Sequence, residues 1–240
     1  MAEPAAFEIV NAEGTSPYVL TCEHASNFIP ASYERLGLPV SDLQRHIAYD
    51  VGAAGMSRLL AKALDAPLIL SGYSRLLVDC NRPVQSPTLM PVVSETTEIP
   101  GNRNLSRAEI DARLNAYYWP FQNAVSSLLD ARKARGQVTI LLAMHSFTPV
   151  FKGFVRPWHA GLLFRKSERL GEMLVQRLNA PHRLVEANQP YQISDDGDYT
   201  IPVHGEGRGI EAVLFEVRQD LIASPEGQKA WASLIAQALD

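Results

Sequence analysis

Cysteine is nearly absent from this 240-residue sequence, which holds only Cys22 and Cys80. Two cysteines cannot build a disulfide framework, and without C-x-x-C or C-x-x-C-H there is no cysteine zinc cluster and no haem attachment. Any metal has to be held by histidines and carboxylates. Long apolar runs are missing too: the longest, "VTILLAM", is far below the roughly 18 residues of a membrane span. The opening "MAEPAAFEIVNAEG" has neither the basic start nor the apolar stretch of a secretory signal. A cytoplasmic protein without a membrane partner is the expectation. Positive charge is scarce and scattered, with 22 Lys and Arg against 26 Asp and Glu. That balance offers no footprint for nucleic acid. The zinc motif H-E-x-x-H is also missing.

What is present suits a packed domain. A 46% hydrophobic content fills a sizeable core, and the length fits one domain over residues 1–240. "SPYVLTCEHAS" reads as a core strand ending near Cys22. Leu43, Ile47, Val51, Met56, Leu59, Leu60 and Leu64 recur at helical spacing over 41–65, with a break expected near Gly52 and Gly55. "APLILSGYSRLLVDCNRP" supplies two strands, and 83–104 is a long polar loop. Ser106 and Glu109 form a capping box ahead of a long amphipathic helix. "QVTILLA" is a buried strand ending at His145. A strand-like "GLLF", a helix over 167–178, the strand "HRLVEA", a polar loop and the strand "IEAVLFEVR" follow, and Ser224 with Pro225 starts a last helix. The alternation predicts an α/β fold, a three-layer α/β/α domain with a mixed, mostly parallel sheet.

Ligands in such sheets gather beyond the carboxyl ends of strands. His24, Asp79 with Asn81 and Arg82, His145, and Glu216 with Arg218 all fall at predicted strand ends. A catalytic zinc site of two imidazoles and one carboxylate, leaving a place for water, would be built from distant segments. His24 and His145 are the candidate imidazoles, each with a plain reading as a hydrogen-bonded structural histidine. Asp50 is a candidate carboxylate or simply a solvated helix residue. Arg82 presents a planar fork suited to a carboxylate, or a surface salt bridge. Alternation sends Glu216 to the face opposite Phe215 and Val217, as a base beside the metal or as an ion-pair partner of Arg218. Cys22 or Cys80 could instead be a thiolate nucleophile, against inert packing within a strand.

"CEHASNFIP", "HIAYDVGA", "YSRLLVDCNRP", "AMHSFTP", "RPWHAGLLF", "NQPYQISDDGDYTIPVHGEGRGI" and "LFEVRQDLI", in this order, resemble the N-formylglutamate amidohydrolase family. That family is similar in fold to zinc carboxypeptidases and to the aspartoacylase and succinylglutamate desuccinylase group. The resemblance implies a carboxypeptidase-like, phosphorylase/hydrolase-like fold and one Zn2+ ion, or another divalent metal, on His24, Asp50 and His145. It implies Glu216 as general base and Asn81 with Arg82 as anchor for a substrate carboxylate. Arg75 becomes a candidate for the oxyanion or a second carboxylate. Arg156, His159, His204 and Arg208 fall in matching blocks as pocket residues. Carboxypeptidases carry a Glu three residues after the first histidine, where Asn27 stands here, so the third ligand is assigned to Asp50. Gly205, Gly207 and Gly209 read as loop flexibility rather than a phosphate cradle. The implied activity is hydrolysis of a small acidic N-acyl amino acid, most simply N-formyl-L-glutamate. Rivals are a deacylase, a desuccinylase, a small carboxypeptidase, and a non-catalytic protein that binds an acidic metabolite.

Overall fold

The computed structural model describes residues 3–240, so Met1 and Ala2 of the expected 1–240 domain lie outside the described residues. Seven strands make one sheet: β1 (Phe7–Val10), β2 (Tyr18–Cys22), β3 (Leu68–Ser71), β4 (Ile140–Phe147), β5 (Ala160–Leu163), β6 (Val185–Ala187) and β7 (Glu211–Arg218). The longer helices are α1 (Ala53–Leu64), α2 (Arg107–Arg113), α3 (Trp119–Ala134), α4 (Glu168–Leu178) and α5 (Pro225–Leu239). The strand order is β1-β3-β2-β4-β7-β5-β6. β3, β2, β4 and β7 run parallel, β5 lies antiparallel to β7 and parallel to β6, and β1 closes the far edge antiparallel. This is the mixed, mostly parallel α/β fold that the alternation of strands and helices predicts.

Both faces of the sheet are covered, so its central strands are apolar on both sides. One face buries Leu142, Met144, Val213 and Phe215 against Met56 and Leu60 of α1, Leu174 of α4 and Ile235 of α5. The other buries Leu141, Ala143 and Leu214 against Phe121, Val125 and Leu129 of α3. Burying a side chain such as Phe215 is worth about 1.5–3 kcal/mol. Phe215→Ala would cost about 3–5 kcal/mol once the cavity it leaves is counted.

Local chemistry explains where elements start and stop. The Ser106 hydroxyl accepts from Glu109 N–H while the Glu109 carboxylate returns to Ser106 N–H, the expected capping box. From there helical chain runs to Ala134, widened at Leu114–Tyr118, where Trp119 N–H reaches back to Leu114 O. Pro120 follows directly and has no N–H for the ordinary ladder. The helix expected over 41–65 divides into a turn at Val40–Leu43 and α1. Gly52 begins α1 at φ +80°, and a Cβ there would sit 2.1 Å from Ile222 O. Gly55 does not interrupt the helix.

The second strand expected in "YSRLLVDC" does not form. Ser74 Oγ accepts from Leu76 N–H, and Leu77 N–H bonds to Ser74 O, so the chain turns. Leu76 and Leu77 are buried in a separate cluster with Leu36, Ile47 and Ile99. Similarly, the polar stretch before β7 carries short helical segments at Thr200–Gly205 and Glu206–Arg208.

Candidate active site

Three segments far apart in sequence meet on one side of β4. β2 ends at Cys22, and the turn that follows carries His24. His145 lies within β4, which continues to Phe147, two residues past its expected end. Asp50 precedes α1, and its N–H donates to His24 O. Ser146 Oγ fastens the same loop by donating to Val51 O.

The donor atoms converge closely. His145 Nδ1 is 2.8 Å from Asp50 Oδ2 and 3.1 Å from His24 Nδ1, and His24 Nδ1 is 3.4 Å from Asp50 Oδ2. A tetrahedral zinc with bonds of ~2.05 Å sets its ligands ~3.3 Å apart, so this triangle has the size of one face of such a site. All three residues are buried.

The far nitrogen of each imidazole faces a carboxylate. His24 Nε2 is 2.6 Å from Asp79 Oδ1, and His145 Nε2 makes an off-axis ion-pair contact of 2.9 Å with Glu23 Oε2. Such partners hold the proton on Nε2 and turn the Nδ1 lone pairs toward each other and toward Asp50. Three acceptors then face one another, a set that a cation satisfies. Without a metal a proton serves: burial depresses the His145 pKa, but Asp50 and Glu23 together lift it well above the ordinary imidazole range. Burial pushes Asp50 upward, yet the two histidines hold it far below the usual carboxylate range. Glu23, raised by burial and lowered more strongly by His145, comes to about 2.

A second tier fixes those carboxylates. Arg75 Nη2 and Nε donate to Asp79 Oδ2 at 2.9 and 3.2 Å, and Arg75 Nη1 faces Asp50 Oδ1 at 3.4 Å. Thr200 Oγ1 donates to Glu23 Oε1 at 2.7 Å.

Glu216 stands beside the cluster because of strand register. Glu216 pairs with His145 across β7 and β4 and with Gly161 across β7 and β5, so the three share one row and one face. The absent side chain at Gly161 gives passage to the chain at Gln189, whose O would lie 1.5 Å from a Cβ built there. Tyr191 and Gln192 thereby reach the cavity wall. Glu216 is buried with Oε2 unpartnered. Burial raises its pKa to about 8, with His145 opposing and Asp50 assisting. It does not pair with Arg218, which binds Asp220 instead.

These groups open into a cavity of about 400 Å³, lined also by Arg75, Arg82, Tyr191 and Asp198. Arg82 Nη1 donates to Gly197 O and Nε to Thr88 Oγ1. Asn81 works as a clamp: its Oδ1 accepts from Tyr199 and Thr200 N–H, and its Nδ2 donates to Asp198.

Four residues expected in the pocket sit elsewhere. Arg156 lies behind the wall, its guanidinium over Phe151 and Tyr191, donating to Thr148 O and Tyr191 Oη. His159 is at the start of β5, where Nδ1 accepts from Leu184 N–H. His204 is buried against Gln122 Oε1 at 2.8 Å, and burial lowers its pKa to about 4. Arg208 pairs with Asp130 on the surface. Asn27 donates to Leu43 O, away from the donor triangle. Cys22 and Cys80 are buried, and burial raises both thiols well above their ordinary range, which disfavours a thiolate nucleophile.

No sequence signal marks Tyr191 or Thr200, and Asp79 reads only as a polar strand tip; Glu23, beside His24, is expected to project the other way unless a turn reverses it, and a turn follows Cys22. Asp79 and Glu23 could have been sought, because imidazoles that bind metal usually carry an acceptor on the other nitrogen.

Residues 16–223 match the family model described as N-formylglutamate amidohydrolase. No curated protein matches the chain. A solved gene product from Agrobacterium tumefaciens is 38% identical, with a TM-score of 0.94 over 99% of this chain and 96% of that one. An N-formylglutamate amidohydrolase from Ralstonia eutropha JMP134 is 18% identical, with a TM-score of 0.70 over 98% of this chain and 96% of that one.

Proposed function

The chain belongs to the N-formylglutamate amidohydrolase family, and from that premise we propose a zinc-dependent hydrolase, residues 1–240 acting as one catalytic domain. It cleaves the amide bond of a small N-acyl amino acid, with N-formyl-L-glutamate, which would yield formate and L-glutamate, as reference substrate. The observation that carries this reading is the buried convergence of His24, His145 and Asp50 in the row of Glu216.

Those three residues would hold the ion. When bound, zinc supplies Lewis acidity and water acidified toward a pKa of about 7. Glu216 handles the protons: its carboxylate accepts one from the attacking water and delivers one to the departing amine nitrogen. The buried, unpartnered Oε2 is suited to that exchange, because no protein donor has to be broken first. Arg82 Nη2 has no protein acceptor among the described residues and would take the substrate carboxylate, aligning the scissile bond. Arg75 would position Asp79 and Asp50 and present its charge toward the cavity.

The test is activity of metal-stripped and zinc-restored protein on N-formyl-, N-acetyl- and N-succinyl-L-glutamate, beside Glu216→Gln. Chelation should abolish turnover and zinc restore it, while Glu216→Gln keeps zinc and loses about 10²–10⁴-fold in kcat. Full activity in zinc-loaded Glu216→Gln would remove Glu216 from its role.

A further inference from the structure

The charges around the cavity bear on which amino acid it accepts. Five carboxyl groups line it, Asp50, Asp79, Glu95, Asp198 and Glu216, against two guanidiniums, Arg75 and Arg82. The nitrogens of Arg75 already face Asp79 and Asp50. Arg45, close to the mouth, is taken up by Asp42, Glu95 and Thr97, and Arg156 lies behind the aromatic wall. Arg82 is thus the lining guanidinium with a nitrogen to spare, and a divalent ion would be largely offset by the surrounding acids.

The floor beside Glu216 is apolar. Leu214 is two residues from Glu216 on the same strand face, and Leu163 is its direct cross-strand partner. Both line the cavity, as do Gln192, Ser194 and Asp198. Asp198 itself accepts from Asn81 Nδ2 and Ser194 N–H. A dicarboxylate would set one carboxylate on Arg82 and leave the other without a second unpaired guanidinium, in a wall that carries five carboxyl groups. Burying a charge without a partner is strongly unfavourable.

Resting on the hydrolase reading above, we propose that the preferred substrate is an N-acyl amino acid with a single carboxylate and an uncharged side chain, an amide or aliphatic group lodged on Leu163 and Leu214. The cavity volume, about 400 Å³, lies within the ~300–1,000 Å³ typical of small-molecule sites and admits a side chain of glutamine or leucine length. A site that leaves a polar group unpaired discriminates strongly against the ligand that brings it.

The test uses zinc-loaded protein and three probes, N-formyl-L-glutamate, N-formyl-L-glutamine and N-formyl-L-leucine. Their kcat/KM values are measured on the wild type, and their dissociation constants on zinc-loaded Glu216→Gln by calorimetry. Glutamine and leucine compounds should each surpass the glutamate compound at least tenfold. In Asp198→Asn, which keeps the acceptor for Asn81, the glutamate compound should gain several-fold relative to glutamine. Binding of formylglutamate as tight as the other two would overturn the proposal. If none of the three is hydrolysed but the binding order holds, the hydrolase reading fails and the assignment of side-chain charge stands.

Discussion

Replacing Asp79 by Asn removes a charge and keeps the shape, which isolates the support behind one imidazole. Asp79 Oδ1 takes His24 Nε2 at 2.6 Å, and Oδ2 takes Arg75 Nη2 at 2.9 Å. An amide has one oxygen to share between them. If the oxygen stays with His24, the NH2 group confronts Arg75, donor against donor; if it turns, His24 loses its acceptor. In either case His24 Nδ1 is a poorer and less fixed ligand. Loss of such a partner typically weakens metal binding about 10–100-fold, or about 1.4–2.8 kcal/mol at ~1.4 kcal/mol per decade. Glu23→Gln should do the same at His145. Zinc affinity is measured by competition with a chromophoric chelator, and far-UV circular dichroism confirms that each variant is folded. A folded Asp79→Asn that binds zinc within threefold of the wild type would refute the reasoning.

Three further outcomes are expected. In chelator, burial raises the Glu216 pKa from the ordinary carboxylate value of 4.5 to about 8 in the folded protein; its contribution to stability is therefore complete below about pH 4.5 and lost as pH rises toward 8. Melts of metal-free Glu216→Gln should match the wild type near pH 4.5 and exceed it by roughly 5 °C or more at pH 8, and a gap that does not widen with pH contradicts the assignment. Gly161→Ala forces a Cβ toward Gln189 O and should displace the chain carrying Tyr191, cutting kcat/KM at least tenfold with zinc content unchanged; undiminished turnover would mean the close approach is unimportant. Arg82→Ala should raise KM at least tenfold for N-formyl amino acids and leave their C-terminal amides unaffected, and an equal loss on both would show that Arg82 does not read a carboxylate.

Strands with continuous apolar runs were legible in the sequence, because a sheet covered on both faces asks for nothing subtler. The capping box at Ser106 and the Ser224–Pro225 start were legible for the same reason: each helix end states its own hydrogen bonds. The failure over "YSRLLVDC" has a definite cause, since Leu76 and Leu77 satisfy burial equally well in a separate cluster, and apolar composition does not say which core a residue enters. His24, Asp50 and His145 were expected together, and the structure brings them together. His159, His204 and Arg208 show the opposite case. Their chemistry suits a pocket, yet Leu184 N–H, Gln122 and Asp130 use it structurally. Glu23 was obscured by strand alternation, which stops at Cys22, so that the turn delivers Glu23 and His24 to the same centre.

The row formed by His145, Glu216 and Gly161 has an evolutionary corollary. Neighbouring strands lie about 4.8 Å apart wherever backbone ladders pair, so the interval between the backbones that carry ligand and base is a property of the sheet and not of any loop. Sequence drift in the segments around residues 88–95 and 191–198 can reshape what enters the cavity while the reacting groups hold their spacing. Such a division lets new specificities arise on this scaffold by exchanging wall residues, without rebuilding the centre that breaks the bond.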